Sequence, residues 1–322
     1  ISSGILAGAV KGLCYDADAK MGKDQVTVNL PVRVNWGGGW TDTPPYCNEN
    51  GGVVLNAAIL INGKRPVCVV VKKIDRMCVE FESEDIGVKG STEDIEDIRD
   101  CNNPYDYFAL HKAALVASGV IPAYGDDTLV DVLEGLGCGL YISTKVIGIP
   151  KGSGLGTSSI LAGAAIKALW QFIGREYTEN ELYDTVLIME QLMSTGGGWQ
   201  DQYGGVLHGV KLLQTQPGWH QEPKVRWLPD YLFTSDEYRK CHLLYYTGIT
   251  RTAKGILAEI VKGMFLNSNR HLHLLEQMKG HAMDMYDAIL RNDFEETGRL
   301  IRKTWKQNQL LDEGTNPAAV QA

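Results

Sequence analysis

The sequence predicts a mixed α+β fold, and three observations carry that expectation. The run "VTVNLPVRVN" at 26–35 alternates apolar and polar residues with the period of a half-buried strand. A glycine-rich loop at 152–156 separates a strand-like apolar segment from an Ala- and Leu-rich helical one. From Thr252 onward the chain reads as mostly helical.

In the first run Val26, Val28, Leu30, Val32 and Val34 take one face, and Thr27, Asn29, Arg33 and Asn35 the other. Pro31 inside it points to an edge position or a bulge, because proline cannot donate to a strand ladder. A turn-rich loop, "WGGGWTDTPPYCNENGG", leads to three further strands, "VVLNAAILI", "PVCVVVKKI" and "MCVEFES". The acidic stretch 84–103 reads as loop. "YDYFALHKAALVASG" reads as a helix stopped by Gly119, and "GLYISTKVIGIP" as a strand. Helices are expected over 157–173 and over "TENELYDTVLIMEQLM", where Thr178 and Glu181 make a capping-box start. Leu182, Val186, Met189 and Met193 mark the buried stripe of that second helix. "GGGWQDQYGG" breaks the pattern, and "VLHGVKLLQT" and "CHLLYYTG" read as strands. A domain boundary is placed between Gln214 and Tyr238, within "QTQPGWHQEPKVRWLPDYLF".

At 322 residues the chain has room for one large domain or two ordinary ones. An apolar fraction of 44% and a charged fraction of 22% are those of a globular protein. The net charge of −8 argues against nucleic-acid binding, which needs a basic patch. No apolar run approaches the roughly 18 residues of a membrane span, and no basic stretch precedes the mildly apolar N-terminus as in a secretory signal. Seven scattered cysteines without a C-x-x-C pair indicate neither a zinc ribbon nor a thioredoxin-like site. Free thiols in a reducing cytoplasm are the expectation. A first residue of Ile1 suggests a piece of a longer chain.

A glycine loop that opens a helix commonly holds a phosphate, because free backbone N–H groups and the helix dipole both favour an anion. Gly152, Gly154 and Gly156 fit neither the dinucleotide spacing G-x-G-x-x-G nor a P-loop, since no Lys follows them. The protein-kinase signatures H-R-D and D-F-G are missing from the chain. A tight turn with no ligand is the bland alternative. Thr157, Ser158 and Ser159 add hydroxyls that could hold a phosphate-borne metal. Phosphoryl transfer also needs a metal-binding carboxylate and a base, and Glu190 and Asp201 lie eleven positions apart. Alone, Glu190 could be an exposed helix charge and Asp201 a turn former. Arg33 could be a strand-face ion-pair partner, and Asp42 a cap for the turn at 43–45.

"PKGSGLGTSS" resembles the second motif of the GHMP kinases, the superfamily of galacto-, homoserine, mevalonate and phosphomevalonate kinases. The resemblance implies that Gly152, Ser153, Gly154, Leu155, Gly156, Thr157 and Ser158 wrap the phosphates of ATP. It assigns Ser158 and Glu190 to magnesium, and Asp201, in a short D-Q motif, to the general base. "VRVNWGGGWTDTPPYCNENGG" is similar to the galactokinase-like first motif, with the same nine-residue interval between Arg33 and Asp42. By that likeness Arg33 steadies the base and the developing charge, and Asp42 grips sugar hydroxyls. Where that motif carries Glu-His, this chain has Gly39 and Trp40, which suits a sugar bearing a methyl group, as L-fucose does.

With "GGGWQDQYGG" and "LLYYTGITRTAKGIL", the chain resembles the L-fucokinase domains of bifunctional fucokinase/GDP-fucose pyrophosphorylases. Arg251 becomes a candidate phosphate contact, with a structural ion pair as the alternative. The implied fold is two-domain: a ribosomal S5 domain 2-like, ATP-binding part over 25–225 and a ferredoxin-like helical part over 226–322. The second part is expected to be truncated, since the third glycine-rich motif of the family does not occur before Ala322. Residues 1–24 are expected to be a linker or remnant of an upstream nucleotidyltransferase domain. The implied reaction is ATP- and magnesium-dependent phosphorylation of the anomeric hydroxyl of L-fucose, in cytoplasmic GDP-fucose salvage. A heptose 7-phosphate 1-kinase and a non-catalytic sugar- or nucleotide-binding module are the alternatives.

Overall fold

The computed structural model describes residues 8, 11–103, 105–150, 152–193, 197–245 and 253–312, the side chains of 253–257 excepted. The chain forms two compact units, each assembled from separate stretches. The first comprises Ile1–Val32, Leu60–Ile149 and Thr157–Gly196, the second Arg33–Ile59, Pro150–Gly156 and Gly197–Ala322. Among the described residues the strands are β1 (Gln25–Leu30), β2 (Val32–Gly37), β3 (Val53–Ile59), β4 (Val67–Ile74), β5 (Val79–Ser83), β6 (Val88–Thr92), β7 (Gly139–Val146), β8 (Val210–Gln214) and β9 (Lys224–Trp227).

The first unit holds a five-stranded sheet in the order β1-β4-β7-β5-β6, antiparallel except where β5 runs parallel to β7. Alternation dictates its faces. Val26, Val28 and Leu30 of β1 and Val67, Val69 and Val71 of β4 turn inward, onto the helix Thr157–Phe172. That helix is apolar nearly all round, and its Ala162, Gly163, Ala164 and Ala165 let it lie close to its neighbours. Trp170, buried near its end, donates its indole N–H to Ser118 O at 2.9 Å. Gly119, with φ +78°, stops the helix Ala109–Ala117, as expected. Residues ahead of β1 run along this unit: Asp16 N–H donates to Gly119 O at 3.0 Å and Gly22 N–H to Phe172 O at 2.8 Å.

The second unit holds a four-stranded sheet, β2-β3-β8-β9. Leu55 of β3 and Leu212 of β8 pair across it and face Met285 and Ile289 of the helix Asn269–Leu290. The helix Phe294–Leu311 packs on that one. His281 Nε2 meets Thr304 Oγ1 at 2.8 Å, and Thr304 donates to Trp36 O at 2.7 Å, which ties both helices to β2. The helical reading from Thr252 onward holds throughout the described residues.

Four expectations are corrected. The 26–35 run is not one strand: Pro31 breaks it into β1 and β2, each the edge strand of a different sheet, and the alternation fails at half-buried Val34. The acidic stretch 84–103 carries β6, which pairs with β5 in a hairpin, and the short helix Ile95–Arg99 capped by Asp94. Residues 242–245 are not in a strand, and Cys241 ends the helix Asp236–Cys241. Last, "GGGWQDQYGG" contains the helix Gln200–Val206. Thr178 does cap the helix Glu179–Leu192, accepting from Glu181 N–H at 3.2 Å, but the Glu181 carboxylate turns to Arg175 and does not close a capping box.

Replacing Trp170 by Ala removes both a buried ring and a buried hydrogen bond, so it should cost about 3–5 kcal/mol of stability. Urea unfolding of the variant measures this directly. A loss below about 1 kcal/mol would remove Trp170 from the core that supports the long helix.

Candidate active site

Arg33 is the junction of the second unit. Its Nε and Nη2 both donate to Asp201 Oδ1, at 2.7 and 2.5 Å. Its Nη1 donates to Gly154 O at 2.8 Å, and its backbone N–H to Leu155 O at 3.3 Å. Arg33 therefore fastens the glycine loop to the acid. Among the described residues none engages Asp201 Oδ2, and the Asp201 side chain keeps 24% of its surface exposed. In the loop Gly152, Gly154 and Gly156 have φ of +75°, +78° and +70°, a region other residues rarely adopt. At Gly156 space is also short: a Cβ would lie 3.1 Å from both Arg33 Nε and Asp201 Cγ. The hydroxyl of Ser153 is shut from solvent without a hydrogen-bond partner among the described residues. An orphaned buried donor in a glycine loop fits an anion such as a phosphate.

Asp201 does not sit in a turn; it is the second residue of the helix Gln200–Val206. Gly204 and Gly205 make this a poor helix by propensity, so tertiary contacts must hold it. At its start Gln200 N–H donates to Asp42 Oδ2 at 3.1 Å, and Gln200 Nε2 donates to Asp42 Oδ1 at 2.9 Å. At its end the wholly buried Lys211 donates from Nζ to the carbonyls of Gly204, Leu207 and Gly209 at 3.1, 2.9 and 3.3 Å. A cation there answers the helix's negative end. Burial pushes the Lys211 ammonium down to about 7. Gly204 is needed for contact rather than for φ, since a Cβ would come within 2.8 Å of Arg33 Cγ.

Asp42 has no solvent-exposed surface. Burial pushes its carboxyl up to about 7, aided by the charge of Asp201 and opposed by the Gln200 N–H and Arg33. Gly198 admits the carboxylate, since a Cβ there would overlap Asp42 Oδ2 at 1.9 Å. Asp42 thus neither caps the 43–45 turn nor faces water. Trp40, at φ +75°, lies half-buried against the cluster of Tyr46, Leu275 and Met278. Gly39 makes room for Asn35, whose Nδ2 would lie 3.1 Å from a Cβ at that position.

The first unit carries the two residues assigned to a metal. Glu190, near the end of the helix Glu179–Leu192, is buried rather than an exposed helix charge. It accepts a hydrogen bond from Ser159, while Ser158 is exposed on the first turn of the helix Thr157–Phe172. The structure thus puts Ser159, not Ser158, on Glu190; magnesium takes few protein ligands and completes its shell with water and phosphate oxygens. Among the described residues no group of three or more His, Cys, Asp or Glu could hold a metal by itself. Arg251 lies outside the described residues.

Residues 123–209, which include the glycine loop and Asp201, match the family described as GHMP kinases N terminal domain. A D-glycero-D-manno-heptose 1-phosphate kinase from Bacteroides thetaiotaomicron superposes with a TM-score of 0.64 over 88% of this chain and 79% of that one, at 20% identity. The fold is that of the GHMP kinases. Two relatives add sequence likeness. An L-fucokinase/L-fucose-1-P guanylyltransferase of Bacteroides fragilis is 52% identical over 295 residues, 91% of this chain and 31% of the relative. A bifunctional fucokinase/GDP-fucose pyrophosphorylase of Arabidopsis thaliana is 34% identical over 288 residues, 88% of this chain and 26% of the relative. The chain thus spans about a third or less of the length of these relatives.

Within this GHMP fold, the sequence reading overlooked Gln200, Asn35 and Lys211. Gln200 stands next to the D-Q pair, and Asn35 was visible on the polar side of its strand. Nothing in "VLHGVKLLQT" distinguishes Lys211 from an exposed strand lysine.

The charge on Asp42 makes a testable contribution to stability. Its folded value of about 7 stands above 3.8, so between these the folded state retains a proton that the unfolded chain has released. Stability from this residue therefore falls as pH rises through that window. The Asp42→Asn variant lacks this slope and should gain stability relative to wild type on going from pH 5 to pH 8. Parallel stability curves for the two proteins would show that Asp42 is not a strained buried acid.

Proposed function

We propose that this chain is an ATP-dependent sugar kinase that phosphorylates the anomeric hydroxyl of L-fucose, giving the sugar 1-phosphate and ADP. One observation carries the reading: the Arg33–Asp201 ion pair stands 3.1 Å from the position a Cβ would take on Gly156. A candidate base and a candidate phosphate cradle are thereby adjacent, as in-line transfer from ATP requires. The 52% identity to a protein named for L-fucokinase activity supports the choice of sugar. The sequence Gly39–Trp40 supplies no charged side chain of its own for a sugar's exocyclic hydroxyl, which supports it too.

In this reading Asp201 Oδ2 accepts the proton of the anomeric hydroxyl as its oxygen attacks the γ-phosphorus. The bond from that phosphorus to the β,γ-bridging oxygen breaks, and ADP leaves. Arg33 holds Oδ1, orients the carboxylate and places a permanent positive charge by the developing phosphoryl charge. The backbone from Gly152 to Thr157 and the Ser153 hydroxyl receive the triphosphate. Asp42 orients the sugar. Ser158 and Glu190 would hold magnesium, whose contribution is to neutralise charge on the β- and γ-phosphate oxygens.

Coupled ADP release with magnesium-ATP should show turnover with L-fucose and with its stereochemical mimic D-arabinose, but little with D-galactose, D-mannose or a heptose 7-phosphate. Asp201→Asn should lower kcat by about 10²–10⁴-fold while leaving ATP affinity nearly intact. Turnover of a heptose 7-phosphate alone, or of no sugar, would overturn the assignment. Wild-type turnover by Asp201→Asn would remove the proposed base.

A further inference from the structure

Gln200, which has no part in the mechanism above, is the hub of a polar cluster around Asp42. Its N–H and Nε2 take both oxygens of Asp42. Its Oε1 accepts from Asn35 Nδ2 at 2.9 Å, and its backbone carbonyl accepts from Asn56 Nδ2 at 3.3 Å. Four bonds thus converge on one residue from three separate places: β2, the loop after β2, and β3. The network fixes the amide orientation, because only Nε2 can donate to the carboxylate while Oε1 accepts from Asn35. Asp42 and Asn56 are wholly buried, so their polar groups depend on partners such as these.

The position of this hub matters more than the number of its bonds. Gln200 immediately precedes Asp201 and opens the seven-residue helix that carries it. That helix has no side-chain cap of its own at Trp199. Its first-turn N–H is satisfied instead by Asp42, 158 positions away in sequence. Any change at Asp42, including a sugar hydroxyl taking one of its oxygens, is therefore felt first by Gln200 and then by Asp201.

We propose that Gln200 is a positioning residue that couples the sugar-gripping Asp42 to the base-bearing helix, so that occupation of the sugar site sets the aim of Asp201. This rests on the kinase reading of the site. In the free protein the carboxamide holds Asp42 in place. On sugar binding one carboxylate oxygen passes from the Gln200 side chain to the hydroxyl, and the backbone N–H keeps the other. Three charged or titratable groups act on Asp42 besides this hub: Asp201, Arg33 and the Cys47 thiol. None of them is removed by substitution at 200.

The test uses Gln200→Leu and Gln200→Glu, with Asn35→Ala as a milder variant should either fail to fold. Gln200→Leu should lower kcat with the sugar by about tenfold or more, the size expected for losing orientation of a catalytic group, while the KM for ATP stays unchanged. Gln200→Glu sets a carboxylate against Asp42, so its kcat/KM for sugar should recover toward acid pH, where the pair shares a proton. Asn35→Ala should shift kcat in the same direction as Gln200→Leu, by less. A merely structural role would lower thermal stability and leave the pH profile of kcat/KM as in wild type. That result would overturn the coupling.

A second readout needs no substrate. Selective carbon-13 carboxyl NMR of the free protein should place the Asp42 titration higher in Gln200→Leu than in wild type, because a donor to the charged form has gone. An unmoved titration would overturn the clamp itself. Absence of sugar turnover in wild type, with the NMR shift present, would instead sink the kinase reading and leave the Gln200–Asp42 clamp standing.

Discussion

One guanidinium organises the candidate site. Arg33 spends three side-chain N–H donors and its backbone N–H on the carboxylate of Asp201 and the carbonyls of Gly154 and Leu155. A lysine, with one flexible point charge, could satisfy the acid or the loop but not fix both in a plane. The positive φ of the three loop glycines, the missing Cβ at Gly156 and the missing Cβ at Gly204 all serve that approach. Remove the arginine and both the loop and the acid lose their common anchor.

The helix bearing Asp201 shows how a weak local sequence becomes a fixed element. Two glycines in seven residues disfavour it by roughly 1 kcal/mol each relative to alanine. Its start is held by Asp42 through Gln200, and its end by the buried ammonium of Lys211. Both clamps place a charge-bearing group out of water, which is costly unless hydrogen bonds compensate. The opposite shifts of Asp42 and Lys211, one pushed up and one pushed down to about 7, are the signature of that burial. Such arrangements specify one position for a side chain, which the proposed role of Asp201 as a base needs more than maximal stability.

Much of this was legible in the sequence where the signal is local. Alternation marked the residues of β1, Gly119 ended the helix Ala109–Ala117, and Thr178 capped the helix Glu179–Leu192. The glycine loop, Arg33 and Asp201, all singled out by the sequence, come together in the second unit. What stayed hidden depends on tertiary placement. Pro31 joins two sheets rather than bulging one, because the strand run continues in sequence while the chain changes partners. The helix at Gln200–Val206 and the burial of Lys211 arise only when distant residues meet. Ser159, not Ser158, bonds Glu190, because one helical position turns the hydroxyl from solvent toward the neighbouring helix.

The most direct measurement is an experimental structure of the chain with magnesium, a non-hydrolysable ATP analogue and L-fucose. The triphosphate should lie along the backbone of residues 152–157, and the anomeric hydroxyl should stand within hydrogen-bond reach of Asp201 Oδ2. A nucleotide bound away from that loop, or a sugar whose anomeric hydroxyl points away from Asp201, would contradict the assignment of this site to phosphoryl transfer.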